Sequence, residues 1–232
     1  MEKLKVGMLL FPDVTIQDFV GPYEVFVKAE CFEVYTVALN NNDMKAEGGL
    51  TVKADYSFDD CPLTDILFVP GGKGITALLK NTKYTGFLQK QGKNAQYITS
   101  VCTGALLLAA AGLLTGYRAT THWRAIGLLK MFSVEAVEER VVIDRNRVTG
   151  GGITAGIDFG LLLTALIGGA DRAKLVQLIL EYNPQPPFQS GSPKMAEAHI
   201  LSSVLQFTQS QFDTRQRIIT EIIEDSKPNL LM

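Results

Sequence analysis

Gln96–Leu114 reads QYITSVCTGALLLAAAGLL, and this stretch decides the fold. Its first six residues are a β-rich run that stops at Cys102. A helical pattern of small and aliphatic residues follows at once, with Ser100 and Gly104 two positions either side of the cysteine. Small neighbours let a chain turn sharply from strand to helix, and such a turn lifts one side chain out at the carboxyl edge of a sheet. The helix N-terminus adds unpaired N–H groups and a partial positive charge, which stabilise a thiolate. The alternative is an inert cysteine filling a small buried pocket.

Outward from that point, β-rich runs alternate with helical patterns, the ordering of a doubly wound parallel sheet. Leu4–Phe11 (LKVGMLLF) and Asp65–Val69 (DILFV) are nearly all apolar, as central strands covered on both faces must be. Phe32–Leu39 reads as another strand, and Leu50–Ser57 alternates as an edge strand or ribbon would. Helices are predicted over Ile16–Ala29, Ile75–Gly92, Thr103–Leu114, Trp123–Phe132, Ile153–Ile167 and Ala170–Tyr182. Arg118–Thr121 reads as a short strand, and Val134–Thr149 as two strands or a hairpin, with Asp144-Arg145-Asn146 as the turn. A proline-rich loop (NPQPPFQSGSP) then leads to a long helical extension from about Lys194 to Asp225. Its apolar residues predict packing on the body of the protein or on a partner. The expectation is one α/β domain over residues 1–232, with the extension at about 194–226.

The apolar fraction of 47% suits a sizeable core and excludes disorder. A net charge of −2 with both signs scattered argues against nucleic acid as a partner. The longest apolar run is too short to span a bilayer, and the N-terminus has no small-residue cleavage site, so no membrane and no secretory signal are expected. Cys31, Cys61 and Cys102 are odd in number, far apart and without zinc-site spacing. They predict a reducing cytoplasm and no metal.

Two further features lie at strand ends. Pro70-Gly71-Gly72 follows the 65–69 strand directly, and glycines there let backbone N–H groups approach a ligand. Asp18 follows the first strand, early in the first helix, where it could simply complement the helix dipole. Gly150-Gly151-Gly152 precedes a helix but lacks the Lys-Ser/Thr and spacing of a phosphate loop. These glycines, Gly151 among them, are instead expected to let Ile153 and its helix pack close to the cysteine turn. The only histidines are His122 and His199. His122 follows a short strand and is expected to stand behind the site rather than act as a base; His199 is given no role.

LLFPDVTIQDFVGPYEVF (residues 9–26), DILFVPGG (65–72), TSVCTGALLLAAAGLLTG (99–116), RATTHW (118–123) and TGGGITAGIDF (149–159) together resemble the DJ-1/PfpI superfamily. Asp18, Thr103 directly after the cysteine, the ATTHW segment and EYNPQPPF followed by GSP resemble its isocyanide hydratases in particular. The resemblance implies a flavodoxin-like three-layer α/β sandwich with a largely parallel sheet, a homodimer and no cofactor. It implies hydration of an isocyanide substrate to an N-substituted formamide, through a thioimidate on Cys102. Asp18 is then the proton-transferring partner, its pKa expected to be raised by burial and by the nearby thiolate. Thr103 lines the site, and Gly71, Gly72, Ile153 and the Thr103 backbone surround the reacting atom.

Other chemistry fits the same residues. A glyoxalase-like reaction would use the same thiol, although Asp18 and Thr103 argue against it. A redox sensor would use an oxidisable Cys102, although Cys31 and Cys61 are not placed as resolving partners in sequence. A transcription factor would need a DNA-binding module, and the roughly 40 residues after the α/β part are too few and not basic enough.

Overall fold

The computed structural model describes residues 2–226; residues 1 and 227–232 of the expected domain lie outside the described residues. Strand β1 (Leu4–Leu9) leads to α1 (Ile16–Ala29) and β2 (Phe32–Ala38). A small antiparallel ribbon, β3 (Met44–Lys45) with β4 (Thr51–Val52), precedes β5 (Tyr56–Ser57) and β6 (Ile66–Val69). Helices α2 (Ile75–Leu78) and α3 (Thr82–Gly92) lead to β7 (Tyr97–Val101) and α4 (Gly104–Ala110). Then come β8 (Arg118–Ala119), a 3₁₀ turn at Trp123–Ala125, α5 (Ile126–Leu129) and β9 (Glu135–Ala136). The hairpin β10 (Val141–Asp144) and β11 (Arg147–Gly150) is followed by α6 (Ala155–Gly168), α7 (Ala170–Ile179) and α8 (Ala198–Asp225).

Seven strands form the main sheet in the order β10-β11-β7-β6-β1-β2-β5. All neighbours are parallel except the β10/β11 hairpin at one edge. The chain reverses its winding at β1, with β2 on one side and β6 on the other, so the carboxyl ends of β1 and β6 open the crevice where such sheets hold ligands.

Alternation along the central strands divides the core in two. Ile66 and Phe68 face the layer of α1, α6 and α7, while Leu67 and Val69 face the layer of α2 to α5. Phe26 and Phe159 meet edge to face in the first layer at 6.1 Å. There α6 lies close on α1 because Gly156 and Gly160 lack side chains: a Cβ at Gly156 would sit 3.1 Å from Pro22, and one at Gly160 3.0 Å from Val25. That close approach fixes the start of α1, where Asp18 sits.

The structure shortens several predicted elements, for local reasons. The helix expected over 75–92 breaks at Asn81, whose side chain accepts a hydrogen bond from the Lys83 amide and starts a new helix. The helix expected over 103–114 ends at Ala110, ahead of Gly112 in the left-handed region. The predicted 50–57 strand divides between β4 and β5. The 118–121 strand keeps two residues, and the 123–132 helix begins as a 3₁₀ turn.

The extension packs on the body. The carboxyl-terminal half of α8 places Phe212, Ile218, Ile219 and Ile222 in the second core layer, with Ile219 fully buried. Its amino-terminal half leaves Ile200, Val204 and Phe207 exposed. Among the described residues no helix is long and apolar enough to cross a membrane.

If α8 is part of this core, Ile219→Ala removes a fully buried side chain and should cost about 3 kcal/mol of unfolding free energy. Urea denaturation measures this, and a loss under about 1 kcal/mol would place α8 outside the cooperative unit.

Candidate active site

Three strand ends converge on one sulfur. β7 ends at Val101, and Cys102 turns the chain with φ 51°, a left-handed conformation that costs a non-glycine residue energy. The turn is held from several sides. The Cys102 amide donates to the carbonyls of Gly150 (3.1 Å) and Gly151 (2.9 Å). Its carbonyl accepts from Thr121 Oγ1 at 2.7 Å. Gly104 opens α4 against the carbonyls of Val69 and Pro70, where a Cβ would collide with backbone. The strand-turn-helix read from Gln96–Leu114 is thus present, and its strain is carried by neighbours on β6 and β11.

Cys102 is buried, 6% exposed. Burial pushes its thiol well above the ordinary range, and the Asp18 charge adds to this. Backbone amides of Thr103 and Ile153 hydrogen-bond the sulfur and pull the other way.

Asp18 sits fully buried in the first turn of α1. Its Oδ2 accepts from the Gly71 amide at 3.2 Å, and the carboxyl is hydrogen-bonded to the Cys102 side chain. Burial pushes its pKa up to about 7, with Glu47 adding a little. The expected push from the neighbouring sulfur is absent: the hydrogen bond with Cys102 acts to lower the value. Asp18 Oδ1 is buried with no hydrogen-bond partner among the described residues. An oxygen left unpaired at a desolvated site is costly in the resting protein and available to a reacting molecule.

The Gly71–Gly72 turn lies against Asp18 and Cys102, and its amides are engaged within the site: Gly71 donates to Asp18, and Gly72 donates to Thr103 Oγ1 at 3.1 Å. Gly71 has no room for a side chain, since a Cβ would lie 2.7 Å from Asp18 Oδ2 and 2.8 Å from Cys102 Cβ. Ile153 does reach the site, through its amide. The tight glycines of the 150–152 run are not Gly151. A Cβ at Gly152 would lie 2.5 Å from the His122 ring and one at Gly150 3.0 Å from Val101, whereas at Gly151 the nearest atom is 3.5 Å away. Gly151 acts through its carbonyl, on the Cys102 amide.

His122 is not aligned as a base. Its Nδ1 accepts from the Arg124 amide at 3.2 Å, closing the loop before α5. Burial, helped by the Arg215 charge, lowers its pKa to about 4, so the ring is neutral near pH 7. Packed on Gly152, it shapes the segment that presents the Ile153 amide. A cleft of about 590 Å³ opens beside this segment, lined by Thr121, His122, Trp123, Ile126, Ile153 and Lys194 among others.

Sequence reading missed two contributors. Thr121 supports the Cys102 carbonyl and gave no signal beyond lying in RATTHW. Arg215, on α8, is buried and donates to the Gly72 carbonyl (2.7 Å) and Thr76 Oγ1 (2.8 Å). A signal for it existed: it occupies a position in step with Phe212, Ile219 and Ile222, where the helical period calls for an apolar residue.

Known proteins are similar to most of the chain. The chain is 44% identical to an isonitrile hydratase from Pseudomonas putida over 98% of both sequences. It is 31% identical to the HTH-type transcriptional regulator GbdR of Pseudomonas aeruginosa, matching 76% of this chain but 50% of that one. The crystal structure of a THiJ/PfpI family protein from Pseudomonas syringae superposes with a TM-score of 0.92 at 38% identity, covering 94% of this chain and 91% of that one. Residues 4–166 match the DJ-1/PfpI family, and with the elbow cysteine and its strand-end partners in place, the chain belongs to that family.

Proposed function

We propose that the protein is an isocyanide (isonitrile) hydratase in which Cys102 and Asp18 carry the chemistry. The observation that carries the reading is the buried, hydrogen-bonded Cys102–Asp18 pair, in a chain 44% identical over 98% of its length to an isonitrile hydratase.

The pair explains the reaction as a relay of one proton. Below pH about 7 both groups are protonated and the sulfur is a neutral thiol. Above it, Asp18 loses its proton and can take the one on Cys102 as the sulfur attacks the isocyanide carbon. The S–C bond forms, the proton passes from Asp18 to that carbon, and a thioimidate, R–N=CH–S–Cys102, results. Asp18 then takes a proton from water as the water oxygen adds to the same carbon. Asp18 returns that proton to nitrogen, and as the C–S bond breaks the hydroxyl proton passes to the leaving sulfur, which releases R–NH–CHO and restores the pair. The balance is one isocyanide and one water in, one formamide out, and no cofactor takes part. The Thr103 and Ile153 amides stabilise the departing sulfur. Thr103 Oγ1 and the Gly71–Gly72 turn keep Asp18 and Cys102 in register.

The protein works as a single domain over residues 1–232, as a cytoplasmic homodimer that binds no nucleic acid. Exposed Leu162, Leu166, Leu175, Leu178 and Ile179 on α6 and α7 support a self-associating face. Three free cysteines support a reducing compartment.

With an aryl isocyanide followed by absorbance, wild type should produce formamide and Cys102→Ser should not; an active Cys102→Ser protein removes the nucleophile from this scheme. Asp18→Asn should lower kcat by about 10²–10⁴. For wild type, kcat/KM should climb as pH rises through about 7, tracking Asp18, and this limb should vanish in Asp18→Asn.

The same carboxyl costs stability. Its folded pKa lies above the ordinary value of 3.8, so the favourable contribution is present at acid pH and is lost as pH rises from about 4 to about 7. The loss is on the order of 4 kcal/mol for a fully buried group. Asp18→Asn should therefore be more stable than wild type at pH 8, by a wider margin than at pH 5. A margin independent of pH, from denaturant titrations at both values, would show that Asp18 titrates normally.

A further inference from the structure

Arg215 is the one buried arginine among the described residues, at 7% exposure. Both hydrogen bonds of its guanidinium fork go to neutral oxygens, Thr76 Oγ1 and the Gly72 carbonyl. Burying a charge on neutral partners is expensive, and an apolar side chain of similar length would fill the same face of α8 at lower cost. Its location suggests what offsets the expense. Gly72, which Arg215 holds by the carbonyl, also donates its amide to Thr103 Oγ1, and Gly71 beside it touches both Asp18 and Cys102. Arg215 lines a small, partly open cavity of about 80 Å³ together with Thr103 and His122.

We propose that Arg215 is a positioning residue for the nucleophile: from α8 it pins the Gly71–Gly72 turn and sets a fixed positive charge beside Cys102. The proposal rests on Cys102 being the reactive group, and it brings the helical extension, which lies beyond residues 4–166, into the chemistry.

The charged and titratable groups facing Arg215 fit this role. Burial pushes the guanidinium below its usual value, while the negative charges of Cys102 and Glu47 draw it back up. Such an attraction is mutual, so a charge that gains from the thiolate also favours the thiolate. Burial disfavours protonation of His122, and the same charge adds to it. Arg124, lining the same cavity, is engaged elsewhere: it stacks over Phe212 at 3.9 Å and donates to Thr208 and Gln209.

The test is the pH dependence of Cys102 alkylation by iodoacetamide, read by mass spectrometry on the Cys102 peptide so that Cys31 and Cys61 do not interfere. This readout needs no turnover, so it stands even if the protein hydrates no isocyanide. In Arg215→Met the apparent thiol pKa should rise, and labelling at pH 7 should fall by about tenfold. A folded Arg215→Met protein with the wild-type labelling profile overturns the proposal. Arg215→Lys keeps the charge but cannot hold Thr76 and Gly72 together with one fork. It should label nearly as wild type while kcat falls and KM changes little. Should Arg215→Met not fold, Arg215→Lys decides: labelling reduced as strongly as about tenfold, despite the retained charge, overturns the electrostatic role. Wild-type kcat in Arg215→Lys overturns the positioning role.

Discussion

The backbone amide of Cys102, shared between the carbonyls of Gly150 and Gly151, is the contact on which the site depends. A non-glycine residue at φ 51° is strained and persists only when its surroundings over-determine it. Here β11 supplies two acceptors for the amide, Thr121 supplies a donor for the carbonyl, and Gly104 lets α4 begin without colliding with β6. Three segments distant in sequence, at residues 69–70, 121 and 150–151, therefore fix one side chain. The parallel pairing of β11 with β7 is what brings the acceptors to the right height.

Electrostatics at this point is a contest between dehydration and hydrogen bonding. Dehydration raises both Cys102 and Asp18, and taken alone would leave two neutral, unreactive groups. Two amides on the sulfur and one on the carboxyl oppose it, leaving the pair poised to exchange a proton rather than locked in one state. The remaining carboxyl oxygen, buried and without a partner among the described residues, shows that this poise is kept at some expense to stability.

Much of this was legible in the sequence because it rests on local pattern. The central strands declared themselves as nearly unbroken apolar runs, and α1 matched its predicted limits, Ile16–Ala29. Cys102, Asp18 and the Gly71–Gly72 turn were found because strand ends can be read from sequence. What pattern could not show was direction. Nothing in Pro70-Gly71-Gly72 says that its amides point to Asp18 and Thr103 rather than to a ligand. Nothing in a run of three glycines says that the outer two are tight and the middle one is not. Arg215 escaped because it lies about 110 residues beyond Cys102 and reaches the site only through tertiary packing. The shortened helices have a simpler origin, since Asn81 and Gly112 are stop signals set inside otherwise helical periods.

The two borders of the main sheet carry a consequence of another kind. β5 is two residues long and β10 only four, and β10 ends at Asp144 and is flanked by Arg140 and Arg145. A border so short and so charged offers a foreign chain few free N–H and C=O groups to copy. Runaway strand-on-strand growth, the route by which sheets template fibrils, is thereby discouraged on both sides.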